Sequence, residues 1–244
     1  MAFVVTPLGV GDAFSQRFYS SCLLVEGDDY KVLIDCPHPI RKMMFEANVD
    51  VDIGDIDAVV LTHLHADHCS GLEGFAYFAH FVLQRKVRLV AHPIVVERLW
   101  QNSLAAGMGL LLGEQGQIVT TDFDDFFEFC PLDFEAPTTL GPFQIHARPT
   151  RHHIPTTALR LCLGERELGY SADTSFDVEL IHWLCSADLI IHETNYGIHT
   201  PYEALAALPA STRQRMRLIH YPDDRDWSNT AIAALKQGIP LVVP

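Results

Sequence analysis

The stretch "LTHLHADHCSGL", residues 61–72, puts His63, His65, Asp67 and His68 within a few positions of one another, directly after the apolar run "IDAVVL". Histidines this close repel one another when protonated and need partners when buried. "IDAVVL" reads as a buried strand that stops at Thr62 and sends the chain into a loop at a sheet edge. Residues two apart in extended chain point the same way, so His63 and His65 can share one metal ion. Asp67 and His68 fall after the turn and can face a second ion beside the first. Imidazole nitrogen and carboxylate oxygen suit zinc, and manganese or iron accept the same mixture. A cation removes the crowding, because ligated histidines stay neutral. A lone histidine would be read as solvated loop; H-x-H-x-D-H at the end of an apolar strand favours the metal.

The bulk numbers narrow the partners. The chain has 244 residues, and 48% hydrophobic content is ample for a sizeable core. Lys and Arg number 17 against 31 Asp and Glu, so the formal charge is 17 − 31 = −14. Such a surface repels polyanions, which argues against a large RNA or DNA substrate. It leaves room for a small phosphate ester held by local groups, and it also serves solubility. Six cysteines are scattered without a C-x-x-C pair, several inside apolar runs such as "SSCLLV" and "LRLCLG". They read as small buried thiols of a reducing compartment. No signal peptide is visible at the N-terminus, and no apolar run is long enough to span a membrane. The cytoplasm is the expected location.

Along the chain, "FVVTPLGV", "SSCLLVEG" and "YKVLIDCP" read as strands, and "IRKMMFEANVD" after Pro39 as a helix. Ser70 is placed to cap a helix that runs from Gly71 through "LEGFAYFAHFVLQRK". "VRLVAH" is a strand and "IVVERLWQNSLA" a helix. The segment 104–135 is apolar and glycine-rich, then acidic and aromatic, and reads as packed or solvated loops and strands. The second half is organised like the first. It offers the strands "FQIHARPT", "TALRLCLG" and "RELGYSAD", the helix "FDVELIHWLCSA" and the strand "DLIIHET". There follow a helical stretch "PYEALAALPASTRQR" interrupted at Pro209, the strand "MRLIHY", the helix "SNTAIAALKQG" and a last strand "IPLVVP". Two runs of strands, each followed by helices, suggest two sheets packed face to face with helices outside. No linker appears, so residues 1–244 are expected to form one domain.

"THLHADHCSGL" resembles the signature of the metallo-β-lactamase fold superfamily, whose four-layered αββα sandwich agrees with the two-sheet reading. The resemblance implies more ligands at later strand ends. "RHHIPTTALR" lacks the P-G-H element of the lactamase and lactonase branches. It is similar instead to the H-S-x-P-x-x-x-Y-R element of the ribonuclease Z-like branch, which selects His152 over His153, with Leu159 where that branch commonly has Tyr. "LGYSADTSFD" resembles Y-S-G-D-T and gives Asp173 as a bridging carboxylate, the reading favoured over a helix cap by the other ligands. "MRLIHYPDD" gives His220. "LIIHETNY" and "GIHTPYEAL" are similar to the branch's H-E-A-T and H-S-T elements, giving Glu193 and His199 as a pair beside the leaving group. Asp35 in "LIDCP" resembles the aspartate that steadies a ligand histidine.

The implied assembly is a dinuclear site with His63, His65 and His152 on one ion, Asp67, His68 and His220 on the other, and Asp173 between them. A water shared by two divalent ions becomes a nucleophile near neutral pH. Asp67 would orient it, and His199, kept protonated by Glu193, would donate to the departing alkoxide. The expected function is a metal-dependent hydrolase (a phosphodiesterase acting on a small phosphodiester such as a cyclic nucleotide) with zinc the first choice of metal and a homodimer the expected state. A tRNA 3′-processing endonuclease and a lactone or thioester hydrolase are the alternatives. The absence of a basic arm disfavours the first, and the missing P-G-H the second. Arg148, Arg151 and Arg160 near His152 either contact phosphate or sit solvated at strand edges.

Overall fold

The computed structural model describes residues 2–244. Its strands are β1 (Phe3–Gly9), β2 (Cys22–Gly27), β3 (Tyr30–Ile34), β4 (Ala58–Val60), β5 (Val87–Ala91), β6 (Leu110–Leu112), β7 (Ile118–Thr120), β8 (Phe127–Pro131), β9 (Thr138–Leu140), β10 (Phe143–Pro149), β11 (Thr157–Leu163), β12 (Arg166–Tyr170), β13 (Leu189–Glu193), β14 (Met216–Ile219), β15 (Ala233–Ala234) and β16 (Leu241–Val242). They form one sheet in the order β16-β1-β2-β3-β4-β5-β8, a second in the order β15-β14-β13-β12-β11-β10-β9, and a small hairpin β6-β7.

Period-two burial explains the layering. In β2 and β3, Leu23, Val25, Val32 and Ile34 point into a core shared with Ile145, Leu161 and Leu163 of the second sheet. Their neighbours Leu24 and Leu33 point the other way, onto Met43, Leu72, Phe75 and Leu99 of the outer helices. Phe3 and Phe143 meet across the two sheets with ring centroids 5.5 Å apart. The helix Val178–Leu184 covers the far face of the second sheet; a Cβ on Gly169 of β12 would stand 3.0 Å from Leu184. The layers therefore run helix, sheet, sheet, helix, the αββα sandwich expected from the sequence.

The two halves repeat one pattern. β1-β2-β3 and β10-β11-β12 are antiparallel, while β3-β4-β5 and β12-β13-β14 are parallel. Parallel strands present their carboxyl ends along one edge, where sites in such sheets collect. Asp35, His63, Asp173 and His220 all follow closely on such ends.

Several helix boundaries differ from expectation. The helix expected from Gly71 is an α-helix Leu72–Tyr77 that continues as a π-helical turn Phe78–Val82, a separate short helix Ala66–Cys69 precedes it, and Ser70 is no cap: its Oγ accepts from His38 N at 3.0 Å. "SNTAIAALKQG" is a short 3-10 turn, Trp227–Asn229, followed by β15. Local bonds defeat the helix there: Thr230 Oγ1 donates to Ile232 O at 2.7 Å, and Ala231 N to Tyr202 Oη at 2.8 Å. The segment 104–135 contains the exposed hairpin β6-β7 and the short helix Phe123–Phe126 leading into β8. No helix of the described residues is long and apolar enough to cross a membrane.

Candidate metal centre

The loop after β4 folds back because Asp35 holds it. Asp35 is fully buried; it accepts from Thr62 N at 2.8 Å, from Thr62 Oγ1 at 2.9 Å and from His68 Nδ1 at 2.8 Å. Since Thr62 Oγ1 donates to Asp35, it accepts from His63 Nδ1, 3.0 Å away. Both histidines are thereby held in the tautomer that leaves Nε2 unprotonated and pointed inward. Asp35, Ala172 and His220 adopt left-handed φ of 65°, 49° and 56°. Each lies just past a strand end, and the unfavourable backbone turns a side chain or its neighbour over the sheet edge.

Two groups of side chains converge there. His63 Nε2 lies 3.2 Å from His65 Nδ1, which lies 3.0 Å from His152 Nε2; Asp173 Oδ2 is 3.8 Å from His63 and 3.7 Å from His152. In the second group His68 Nε2 is 3.3 Å from both Asp67 Oδ2 and Asp173 Oδ1. His220 Nε2 is 3.3 Å from Asp67 and 3.5 Å from Asp173. Four ligands about 2.0–2.1 Å from a tetrahedral zinc stand about 3.3 Å from one another, so both groups have the right size. His68 Nε2 and Asp173 Oδ1 are buried without a hydrogen-bond partner, as befits atoms aimed at a cation. Asp173 belongs to both groups.

The electrostatics point the same way. Burial pushes His63 and His65 below their ordinary range and His152 down to about 4. Burial alone would raise Asp67 and Asp173, yet the facing His220 and His68 hold both carboxyls low. Burial opposes charge on His68 and His220 too, but Asp173 above all lifts them, His220 to about 9. With protons as the only cations, the second group thus gathers positive charge around two carboxylates, the place a divalent ion would take. The residues fit a pair of divalent ions.

All seven residues singled out in the sequence come together, and His153 lies outside both groups. A third group adjoins them. Glu193 is buried and its Oε1 lies 3.0 Å from His199 Nδ1, and it also accepts from Thr174 N at 2.9 Å. Burial pulls His199 down, but the bond to Glu193 and its charge outweigh it, so His199 holds its proton more firmly; burial also raises the Glu193 carboxyl. The ring of His199 is 5.1 Å from that of His220. Asp173 caps no helix, since Asp177 takes that place and accepts from Glu179 N at 2.9 Å. The three arginines are engaged elsewhere: Arg151 with Asp177 at 3.1 Å, Arg160 with Glu167 at 2.9 Å, and Arg148 with Glu179 O at 3.3 Å. Sequence reading missed the roles of Thr62 and of Thr150, whose Oγ1 donates to Asp173 O at 2.7 Å. Thr62 was within reach, being the residue next to His63; Thr150 needed the fold.

The sandwich and the histidine–aspartate clusters at its strand ends define a metallo-β-lactamase-fold protein. YhfI from Bacillus subtilis, described as a metallo-β-lactamase fold protein, superposes with a TM-score of 0.79 over 99% of this chain and 100% of its own, at 21% identity. The short form of human tRNase Z superposes with a TM-score of 0.70 over 99% of each chain, at 19% identity. A family model described as "Anti-Pycsar protein Apyc1" matches residues 3–237. The protein of that name from Bacillus phage 010DV004 is 33% identical over 236 residues, 91% of this chain and 90% of the relative. The one from Bacillus phage BSP38 is 34% identical over 233 residues, 90% of this chain and 89% of the relative. The chain belongs to the anti-Pycsar Apyc1 family, a narrower assignment than the ribonuclease Z-like branch its motifs resemble. Family and fold together support a hydrolase of the phosphodiesterase type.

Proposed function

We propose that this chain hydrolyses a small phosphodiester, a 3′,5′-cyclic nucleotide above all, at a dinuclear metal site. The observation that carries the reading is the Glu193–His199 pair set against the two ligand groups. A phosphodiester expels an alkoxide, a poor leaving group that needs a proton. Lactones and thioesters make less demand on such an acid.

His63, His65, His152 and Asp173 would hold one ion, and Asp67, His68, His220 and Asp173 the other; zinc suits these donors, with manganese or iron as substitutes. When bound, two such ions supply Lewis acidity for the phosphoryl oxygens and acidify the attacking water. Asp67 lies at the mouth of the second group and positions the nucleophile by accepting its hydrogen bond. Glu193 fixes His199 through Nδ1, which leaves Nε2 as the nitrogen that passes a proton to the departing oxygen. Asp35 and Thr62 keep His63 and His68 from turning. The formal charge of −14 disfavours a long polyanion, which supports a small substrate over tRNA.

The test is a substrate panel. Metal-loaded protein is offered 3′,5′-cyclic nucleotides, a precursor tRNA and an acyl-homoserine lactone. Cyclic nucleotides should be opened and the others left intact; turnover of the lactone alone, or of the tRNA alone, would overturn the reading. His199→Ala should lower the rate on cyclic nucleotides by about 10²–10⁴-fold and act far less on a p-nitrophenyl ester, whose leaving group needs no proton.

A further inference from the structure

A cleft of about 320 Å³ opens beside the first ligand group and shares His65 with it. Its volume is at the lower end of small-molecule sites. One wall is the chain just after β4, through Leu64 and His65; another is the loop through Ile154 and Pro155, just past His152. Both walls are thus direct continuations of candidate ligands. The third wall is the helix that starts at Pro93 and continues as a π-helical turn from Trp100 to Leu104; its Ile94, Arg98 and Asn102 recur every four residues along one face.

Apart from His65, the polar side chains lining this cleft are Arg98, Asn102 and Ser103, all exposed. Arg98 is exposed and makes no ion pair or hydrogen bond among the described residues, and no carboxylate lines the cleft. In a chain with 17 cationic side chains against 31 acidic ones, an unpaired guanidinium next to the metal centre stands out. By contrast Arg41, Arg151, Arg160 and Arg225 are all paired with carboxylates.

We infer that this cleft receives the nucleobase of the substrate, with Arg98 as the residue that reads it, an inference that rests on the phosphodiesterase reading above. The phosphate is drawn to the ligand groups, so the rest of the molecule must lie in an adjoining space. Leu64, Ile94, Ile154 and Pro155 offer apolar walls to a flat ring. The planar fork of Arg98, which only donates, matches a ring carbonyl beside an unprotonated ring nitrogen, as guanine presents them at O6 and N7. A second phosphate fits less well, because one cation among aliphatic walls would carry its whole charge. Asn102 and Ser103, also in the lining, supply neutral donors and acceptors for the remaining ring edge.

The experiment separates base recognition from chemistry. Arg98→Ala is compared with the unaltered protein on guanosine 3′,5′-cyclic phosphate and on 1-deoxyribose 3′,5′-cyclic phosphate, which has the ester without the base. The variant should lose about ten-fold or more in kcat/KM on the nucleotide, mainly through KM, and nothing on the base-free ester. Arg98→Lys should recover only part of the loss, since an ammonium lacks the fork. Equal losses on both esters, or no loss on either, would overturn the inference. Calorimetry with guanosine 5′-monophosphate against ribose 5-phosphate reads the same contact without turnover; only the first should bind more weakly to Arg98→Ala. Turnover of neither ester by the unaltered protein would count against the phosphodiesterase reading, and the calorimetry would still decide the base pocket.

Discussion

At the scale of single residues, the site works by pairing each group with one that sets its protonation. His63 and His68 are braced through Nδ1 by Thr62 and Asp35, whereas the Nδ1 atoms of His152 and His220 find no partner. His220 leans on the charge of Asp173 and Asp67 instead, and that gives stability a sign. In metal-stripped protein, His220 keeps its proton up to about pH 9, against about 6.5 in the unfolded chain. A raised value stabilises the fold fully below about pH 6.5, and the gain is lost as pH climbs through 9, with an upper limit of about 3 kcal/mol. The melting temperature of stripped protein should therefore fall by several degrees from pH 6.5 to 9.5, while metal-loaded protein, with its imidazoles neutral throughout, should change little. A flat profile in the stripped protein would count against this account. At this scale most of the site was legible in the sequence. His63, His65, Asp67 and His68 are neighbours in the chain, and Asp173, Glu193 and His220 each stand at the end of a readable apolar strand. Arg98 was not legible, because nothing near it in sequence says that it borders His65.

At the scale of elements, strands were easier to read than helices. Alternation in β2 and β3 names the two faces directly, but the helical period is easily counterfeited. Ile232 and Leu235 are three apart and both buried, as a helix would have them, yet they flank a strand edge. There Leu235 N donates to Leu218 O at 2.9 Å, and the sheet supplies bonds a lone surface helix would have to make for itself. The short helix Ala66–Cys69 is likewise fixed by its neighbours. Cys36 N donates to His68 O at 2.7 Å, and Gly71 N to Cys36 O at 2.8 Å, tying the helix to the loop that carries Asp35. Gly71 allows this approach: a Cβ there would stand 2.5 Å from Pro37 O and 2.8 Å from Cys36 O. Gly71→Ala must push that loop away, at a cost of about 1–3 kcal/mol. It should also loosen the Asp35–His68 bond and weaken metal uptake. Thermal melts and a metal titration check both; an unchanged melt would show that the loop yields freely.

At the scale of the whole molecule, the candidate metal centre is a seam between the halves. Each ligand group draws from both sheets: His63 and His65 meet His152 and Asp173, while Asp67 and His68 meet Asp173 and His220. An ion in either group would tie the two sheets together at the edge where their parallel strands end. Ligands that bind only the folded chain stabilise it by mass action, about 2.7 kcal/mol at a hundred times the dissociation constant. A chelator should therefore lower the melting temperature and leave a protein that still folds on its inter-sheet core. The two groups are not equivalent under mutation. Asp173 contributes to both, with Oδ1 toward His68 and Oδ2 toward His63 and His152. His65 contributes to the first alone. Asp173→Asn should thus deplete both ions together, and His65→Ala should leave one, as read by elemental analysis of the purified variants. Equal loss from both variants would mean that the first ion is required to form the second site, and equal retention would mean that the aspartate does not bridge.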